Sequence, residues 1–537
     1  LWIAFLKIGR MLWLNEITII RIHANNDKFF YKQLSGSILE PMTRKNSLIL
    51  SIDQGTTSSR AIVFDLNGVI RSSAQKEIEQ IYPKNGWVEH NPEEIWETTI
   101  QVCHEALAKC NSSVSGIGIT NQRETIVLWD RKTGIPVANA IVWQDRRTAP
   151  ICAQLRAENI EELVNDKTGL LLDPYFSATK LCWLLDNVEG ARRRAENGEL
   201  AAGTIDSFLL WRLTGGELHA TDATNASRTS LFNIHTQKWD ADLMAIFRVP
   251  DLILPDVKDS SDDYGHSIPN LLGTAIPILG VAGDQNAALV GQACVNPGMV
   301  KSTYGTGGFV LVNTGKKILR SKHRLLTTLS YRIRGNVHYA IEGSIFNTGT
   351  SIQWMRDNLQ FIKDADETEI YARHSVNNQI MFVPSFTGLG APHWNPNARG
   401  AIYGLTRDTT PADMIRAALE SVGYQSADLI TAMRIDIAGA INTLRVDGGM
   451  SKNDWMLQFL ADVTGVTVER SRVMETTGLG VAFLASLQTG IISSLEDLHK
   501  LWRSDKIFKS NISQNRRQAL LENWALAVKS TQAFSVE

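Results

Sequence analysis

Apolar residues in this chain fall into short runs that alternate with amphipathic stretches, and the runs predict specific elements. Residues 48–65 read LILSIDQGTTSSRAIVFD, where two β-rich runs flank a Gly-Thr-Thr-Ser-Ser turn and predict a hairpin. Residues 91–110 place Ile95, Thr99, Val102, Cys103, Ala106, Leu107 and Cys110 on one helical face. Asn91 is the expected cap, Pro92 the first-turn residue, and Glu94 completes a capping-box pattern. A strand is predicted at 114–119, then the loop TNQRE, then a strand at 125–129, which puts Arg123 and Glu124 at a hairpin tip. An apolar strand at 278–283 ends at Asp284, and VKSTYGTGGFVLV at 300–312 is a second strand, Gly/Thr turn and strand. Thr410 and Pro411 open a long helix; a strand at 443–447, a Gly448-Gly449 turn and a helix at 453–464 follow.

Strands alternating with helical patterns indicate an α/β fold. The same kind of hairpin recurring half a chain apart suggests two similarly built α/β domains that face each other. Asn296-Pro297-Gly298 marks the linker. The expected divisions are an extension at 1–46, domains at 47–295 and 296–505, and a helical tail at 506–537. The extension begins LWIAFLKIGRMLWLNEITIIRIH; Lys7 and Arg10 interrupt its apolar stretch and no small-residue cleavage site follows, against a signal peptide. Glu16 is the only acid among its first 26 residues, so composition also admits a basic transit peptide. The reading adopted is dispensable or non-native sequence with a start near Met42.

Composition narrows the function classes. Of 537 residues, 44% are apolar and 20% charged, an ordinary globular balance. Lys and Arg total 54 and Asp and Glu 56, so the net charge of −2 gives no global attraction for nucleic acid or anionic membrane. Five cysteines without metal spacing fit a reducing compartment and no disulfide framework. No stretch approaches the ~18 apolar residues of a membrane helix.

The chain lacks GxxxxGK[ST], a strand–GxGxxG–helix unit and HExxH, which removes P-loop, Rossmann and zincin readings. Asp53-Gln54-Gly55-Thr56-Thr57 could cradle phosphate oxygens with backbone amides and hydroxyls, and Asp53 could hold Mg²⁺ through water. An isolated DQGTT is also what an ordinary polar turn looks like. The second tip, Tyr304-Gly305-Thr306-Gly307-Gly308, favours a clamp on a nucleoside triphosphate. Asp284 ends a buried strand, where a carboxylate can take a proton from an attacking hydroxyl or can simply cap a helix. Arg123 and Glu124, with WQDRR at 143–147, offer donors and acceptors suited to a polyol; the bland alternative is a surface ion pair.

Nine blocks in order carry a resemblance: SIDQGTTSSRAIVFD, ITNQRET, IVWQDRR, DPYFSATK, TNASRT, GVAGDQNAALVGQ, STYGTGGF, FTGLGAP and RVDGGMSKND. The chain resembles the FGGY carbohydrate kinases, within the actin, hexokinase and Hsp70 superfamily, from about Ser47 to Leu501. The resemblance implies two RNase H-like, actin-like ATPase domains with a nucleotide and substrate cleft between them. NQRET and DPYF follow the glycerol-specific pattern, which implies an ATP:glycerol 3-phosphotransferase giving sn-glycerol 3-phosphate and ADP. The implied roles follow position by position. Asp284 is the catalytic base. Arg123, Glu124, Tyr175, Asp284 and Gln285 bond the glycerol hydroxyls, with Trp143 and Phe309 on its carbons. Asp53 holds Mg²⁺ through water, Thr56, Thr57, Ser58 and Arg60 meet the phosphates, and Gly305 and Thr306 meet them from the other domain. Gly349, Gln353, Gly449 and Asn453 hold the adenosine side. The family also implies ATP with Mg²⁺, a cytoplasmic homo-oligomer (dimer or tetramer), and no nucleic-acid or membrane partner. Its rivals are a pentulose or other polyol kinase and a nucleotide-binding assembly or chaperone protein. Some family members bind an inhibitory sugar bisphosphate through a Gly/Lys/Arg loop. Residues 265–276 read GHSIPNLLGTAI without Lys or Arg, so fructose 1,6-bisphosphate is expected not to inhibit at millimolar levels.

No motif lies upstream of Ser47. A chain starting at Met42 is therefore expected to fold and turn over glycerol normally; loss of soluble expression on removing the leader would assign those residues to the fold.

Overall fold

Leu48–Gln54 (β1) turns through Gly55, Thr56 and Thr57 and pairs antiparallel with Ser58–Asp65 (β2), Leu48 opposite Asp65. The computed structural model describes residues 47–376 and 379–534, so the leader and its expected start near Met42 lie outside the described residues. Ile70–Glu77 (β3), Gly116–Asn121 (β4) and Ile278–Gly283 (β5) complete a five-stranded sheet ordered β5-β4-β1-β2-β3. β1, β4 and β5 run parallel, with Asp53 opposite Thr120 and Gly283 opposite Asn121. Their C-terminal ends therefore lie side by side, the edge at which open α/β sheets present ligands.

Pro92–Cys110 (α1) covers one face of this sheet. Ile95, Val102, Cys103 and Ala106 pack with Leu50, Ile52, Ala61 and Val63. Asn91 caps it by accepting from the Glu93 amide. The expected capping box is not made: the Glu94 carboxylate accepts from the Glu79 amide instead. β4 runs two residues further than expected, to Asn121. The next strand, Ile126–Asp130, belongs to a separate four-stranded sheet with Glu89–His90, Ala140–Ile141 and Leu200–Thr204. Arg123 and Glu124 thus sit at a crossing between two sheets, not at a hairpin tip.

Asp284–Gly291 (α2) follows β5 directly and leads into the second lobe. There Val300–Tyr304 (β6) and Gly308–Gly315 (β7) form the second hairpin. With Leu326–Ile333 (β8), Asn336–Ile345 (β9), Thr443–Asp447 (β10), Thr467–Ser471 (β11) and Ser504–Phe508 (β12) they make a seven-stranded sheet ordered β8-β9-β7-β6-β10-β11-β12. Gly349–Asp357 (α3), Pro411–Asp436 (α4) and Asp454–Thr464 (α5) share a core with it. α4 opens with the expected Thr410, whose hydroxyl and Asp413 form a true capping box.

Thr476–Gln488 (α6) comes from the C-terminal part of the chain yet covers the other face of the first sheet. Val481, Leu484 and Ala485 pack there with Ile49, Ile62 and Phe64. It is apolar on nearly all sides, as a helix buried between two layers must be. α2 and α6 touch backbone to backbone. A Cβ on Gly480 would overlap the Ala287 carbonyl, and one on Gly291 would overlap that of Thr476. Gly480→Ala is expected to lower stability by about 1–3 kcal/mol, the range for overpacking. A lower urea midpoint at unchanged slope would report it; an unchanged midpoint would show that the helices separate freely.

Candidate active site

The ends of β1, β4 and β5 face the β6–β7 tip across a cleft. Two cavities occupy it, of about 450 and 520 Å³, and both are lined by Gly305, Thr306 and Gln353. The first holds all seven residues expected at the polyol: Arg123, Glu124, Trp143, Tyr175, Asp284, Gln285 and Phe309, together with Thr56 and Thr57. The second gathers Gly305, Thr306, Gly349, Gln353, Gly449 and Asn453. Asp53, Ser58 and Arg60 line neither cavity.

The tip between the cavities is fixed from below. The amides of Gly349 and Thr350, at the start of α3, donate to the carbonyls of Gly305 and Thr306 at 3.0 and 3.2 Å. A Cβ on Gly349 would stand 2.6 Å from the Gly305 oxygen, so only glycine permits this approach. Asn453 caps α5 through its side-chain oxygen and donates to Thr368 Oγ1 at 3.1 Å. On the opposite side, Ser58 Oγ accepts from Gln75, and the Arg60 guanidinium pairs with Glu475. Burial pushes the Asp53 carboxyl up to about 7; Arg60 opposes the shift, and Glu475 and Asp284 add to it.

The floor of the first cavity is a buried charge cluster. Arg123, at 2% exposure, gives Nη1 and Nη2 to the two oxygens of Glu342 at 2.7 and 2.8 Å. Its Nε faces Asp284 Oδ1 at 3.2 Å. Arg228 Nε donates to Glu124 at 2.6 Å and its Nη2 to Glu342 at 3.1 Å. Two guanidiniums and two carboxylates thus neutralise one another out of water. Burial alone would raise the Glu342 carboxyl, but Arg123 and Arg228 outweigh it and hold the group at about 2. Glu124 goes the other way: burial raises it despite Arg228 and Arg123. Asp284 Oδ1 also accepts from the Gln285 amide at 2.7 Å. Its Oδ2 has no protein partner among the described residues.

Aromatic rings form the walls. Trp143 meets Tyr175 and Phe309 edge-on at 5.6 and 6.0 Å between centroids. The Trp143 indole N–H donates to Thr56 Oγ1 at 2.9 Å, tying the apolar wall to the first Gly-Thr-Thr turn. Walls of this kind with a few convergent polar groups are the usual make-up of a small-molecule site.

The alternative of a surface ion pair at Arg123 and Glu124 fails, since both are buried in a four-member network. Glu342 and Lys301 stand out in no motif of their own, and Arg228 belongs to one only as part of TNASRT. A signal existed: Glu342 and Lys301 are charged residues inside strands of apolar and small neighbours, and such residues stay buried only when paired.

The family models for the N-terminal and C-terminal domains of the FGGY family of carbohydrate kinases match residues 48–291 and 300–489. The chain is 58% identical over 484 residues to a glycerol kinase of Alcanivorax borkumensis, covering 89% of this chain and 97% of that one. It is 56% identical over 485 residues to glycerol kinase 1 of Pseudomonas aeruginosa, covering 90% and 98%. The structure of Plasmodium falciparum glycerol kinase with ADP superposes with a TM-score of 0.84 at 36% identity, covering 90% and 98%. A xylulose kinase of Lactobacillus acidophilus, at 21% identity and a TM-score of 0.80, shares the fold.

Glu342→Gln tests the cluster. Removing one charge leaves a guanidinium uncompensated, and a loss of about 3–5 kcal/mol is expected near neutral pH. Glu342 is held below the ordinary 4.5, so its contribution is full above that value and fades as pH falls toward about 2. Urea midpoints of wild type and variant should therefore converge between pH 4.5 and 2; a constant gap would contradict the assignment.

Proposed function

The chain belongs to the FGGY family of carbohydrate kinases, and from that premise we propose that it transfers the γ-phosphate of ATP to glycerol. The observation that carries this reading is the polyol chamber: hydroxyl-bonding groups and three aromatic walls, joined through one Gly/Thr tip to a second chamber. Glycerol has three hydroxyls, each a donor and an acceptor, on three carbons. Arg123 and Tyr175 supply donors, Glu124 and Asp284 supply acceptors, Gln285 supplies an amide, and Trp143 and Phe309 cover the carbons. The relatives named as glycerol kinases support the same substrate.

In the reaction a terminal glycerol oxygen attacks the γ-phosphorus in line as the bond to the bridging oxygen of ADP breaks. Asp284 takes the hydroxyl proton; Arg123 and the Gln285 amide hold its Oδ1, and Oδ2 stays available. Thr56 and Thr57 approach the phosphates from the first lobe and Gly305 and Thr306 from the second, while Ser58 and Arg60, in β2, flank the first turn without lining either chamber. Gly349, Gln353, Gly449 and Asn453 hold the adenosine side. Asp53 is the residue suited to Mg²⁺. It offers oxygen, and burial with neighbouring carboxylates raises its proton affinity, a strain that a cation relieves. A Mg²⁺ ion there would be held by this one carboxylate with waters and phosphate oxygens. Such an ion would neutralise charge on the transferring phosphoryl group. ATP as donor, with cysteines that are all unpaired, fits a cytoplasmic reaction.

ADP release measured across a small polyol and pentulose panel tests the activity: glycerol should give the highest kcat/KM, and a pentulose optimum would reassign the substrate. Asp284→Asn should keep binding near normal while kcat falls ~10²–10⁴-fold, the range for a positioned base. Asp53→Asn should instead shift the Mg²⁺ curve to higher concentration. If Asp284→Asn moved that curve and Asp53→Asn did not, the two roles are exchanged. Arg123→Ala should raise KM for glycerol roughly 10-fold to over 100-fold, from a charged hydrogen bond of about 1.5–3 kcal/mol, with little change in KM for ATP.

A further inference from the structure

Gln285 and Lys301 meet where the lobes join. Gln285 stands in the first turn of α2 and lines the polyol chamber at 5% exposure. Lys301 is the second residue of β6, in the other lobe; it is fully buried and is not among the chamber-lining residues. Its ammonium donates to the Gln285 side-chain oxygen and, at 3.0 Å, to Thr303 Oγ1. Gln285 Nε2 donates to no protein atom among the described residues.

An ammonium has three donors and no lone pair. An amide has an acceptor end and a donor end of nearly equal size. Lys301 therefore decides which end of Gln285 the substrate meets. We propose that Lys301 is a positioning residue for the polyol, holding the Gln285 amide so that a substrate hydroxyl accepts from Nε2 and gives its own proton to Asp284. The inference rests on reading the chamber as the glycerol site.

The alternative orientation has a physical cost. With Oε1 toward the chamber, Gln285 and the adjacent Asp284 would both be acceptors competing for a hydroxyl's single proton, and Nε2 would press on an ammonium. Asp447, Asp284 and Glu342 favour the charge on Lys301, against its burial and against Arg123. Burial lowers the ammonium to about 8, so it keeps its charge at neutral pH.

Steady-state kinetics of wild type, Lys301→Met, Lys301→Arg, Gln285→Leu and the double variant Lys301→Met/Gln285→Leu test the proposal. Lys301→Met should raise KM for glycerol about 10-fold with KM for ATP within about twofold, the loss of one good hydrogen bond. Lys301→Arg, still a pure donor, should recover most of it. The double variant should be no worse than Gln285→Leu alone, because Lys301 acts through the amide. Gln285→Glu keeps an acceptor for Lys301 but removes the donor, so it should raise KM for glycerol at an unchanged melting temperature; this variant decides alone if Lys301→Met fails to fold. Additive losses, equal rises in both KM values, or a wild-type KM in Gln285→Glu would overturn the inference while glycerol turnover stands. A wild-type protein without glycerol-dependent ADP release would overturn the function and the inference together.

Discussion

Glu342 stays ionised in the interior of a strand because two guanidiniums face it, and much of the cleft follows from that requirement. Arg123 and Arg228 come from the first lobe and Glu342 from the second. The carboxylate therefore cannot be satisfied unless the lobes are brought together at this depth. Once they are, Arg123 is anchored through both terminal nitrogens, which leaves its Nε toward Asp284. An arginine held this way loses little rotamer freedom if a ligand binds beside it, so less of the binding energy goes into ordering it. The cluster also explains why Glu124 can be buried: Arg228 serves it and Glu342 at once.

The rest of the cleft is made from strand ends. Three parallel strands of the first sheet place Asp53, the residues after Asn121, and Asp284 along one edge. β6 and β10, also parallel, do the same for the second tip and for the turn leading to Asn453. Both Gly/Thr tips are turns between antiparallel strands, each continuous with a sheet. Trp143 couples the first of them to the aromatic wall of the cavity, since one indole is at once a wall and a donor to Thr56.

What could be read in the sequence depended on how local the signal was. Both Gly/Thr hairpins, the capped helix at Thr410 and the strand–turn–helix ending at Asn453 were legible, because turn chemistry, caps and period are local properties. The placement of Arg123 and Glu124 was misjudged. Their loop looks like a hairpin tip from its neighbours, and only sheet membership, a non-local fact, shows that it crosses between sheets. Glu94 failed to form its capping box for a related reason, since the competing donor, Glu79, lies outside the helix. Glu342 and Arg228 are separated by long stretches of chain from the residues they serve, and Lys301 meets Gln285, 16 residues away, only because the fold brings β6 against α2, so their charge was visible but their partners were not.

α6 has a consequence for how the protein is made. β1 and β2 are synthesised early, but the helix that covers their second face emerges roughly 400 residues later. At about 5–20 residues per second, that is roughly 20–80 s during which the nascent chain carries Ile49, Ile62 and Phe64 without their final neighbours. The first lobe cannot finish folding on the ribosome ahead of the second. Its completion waits for nearly the whole chain, and in that interval a one-sided sheet is the kind of surface that chaperones engage.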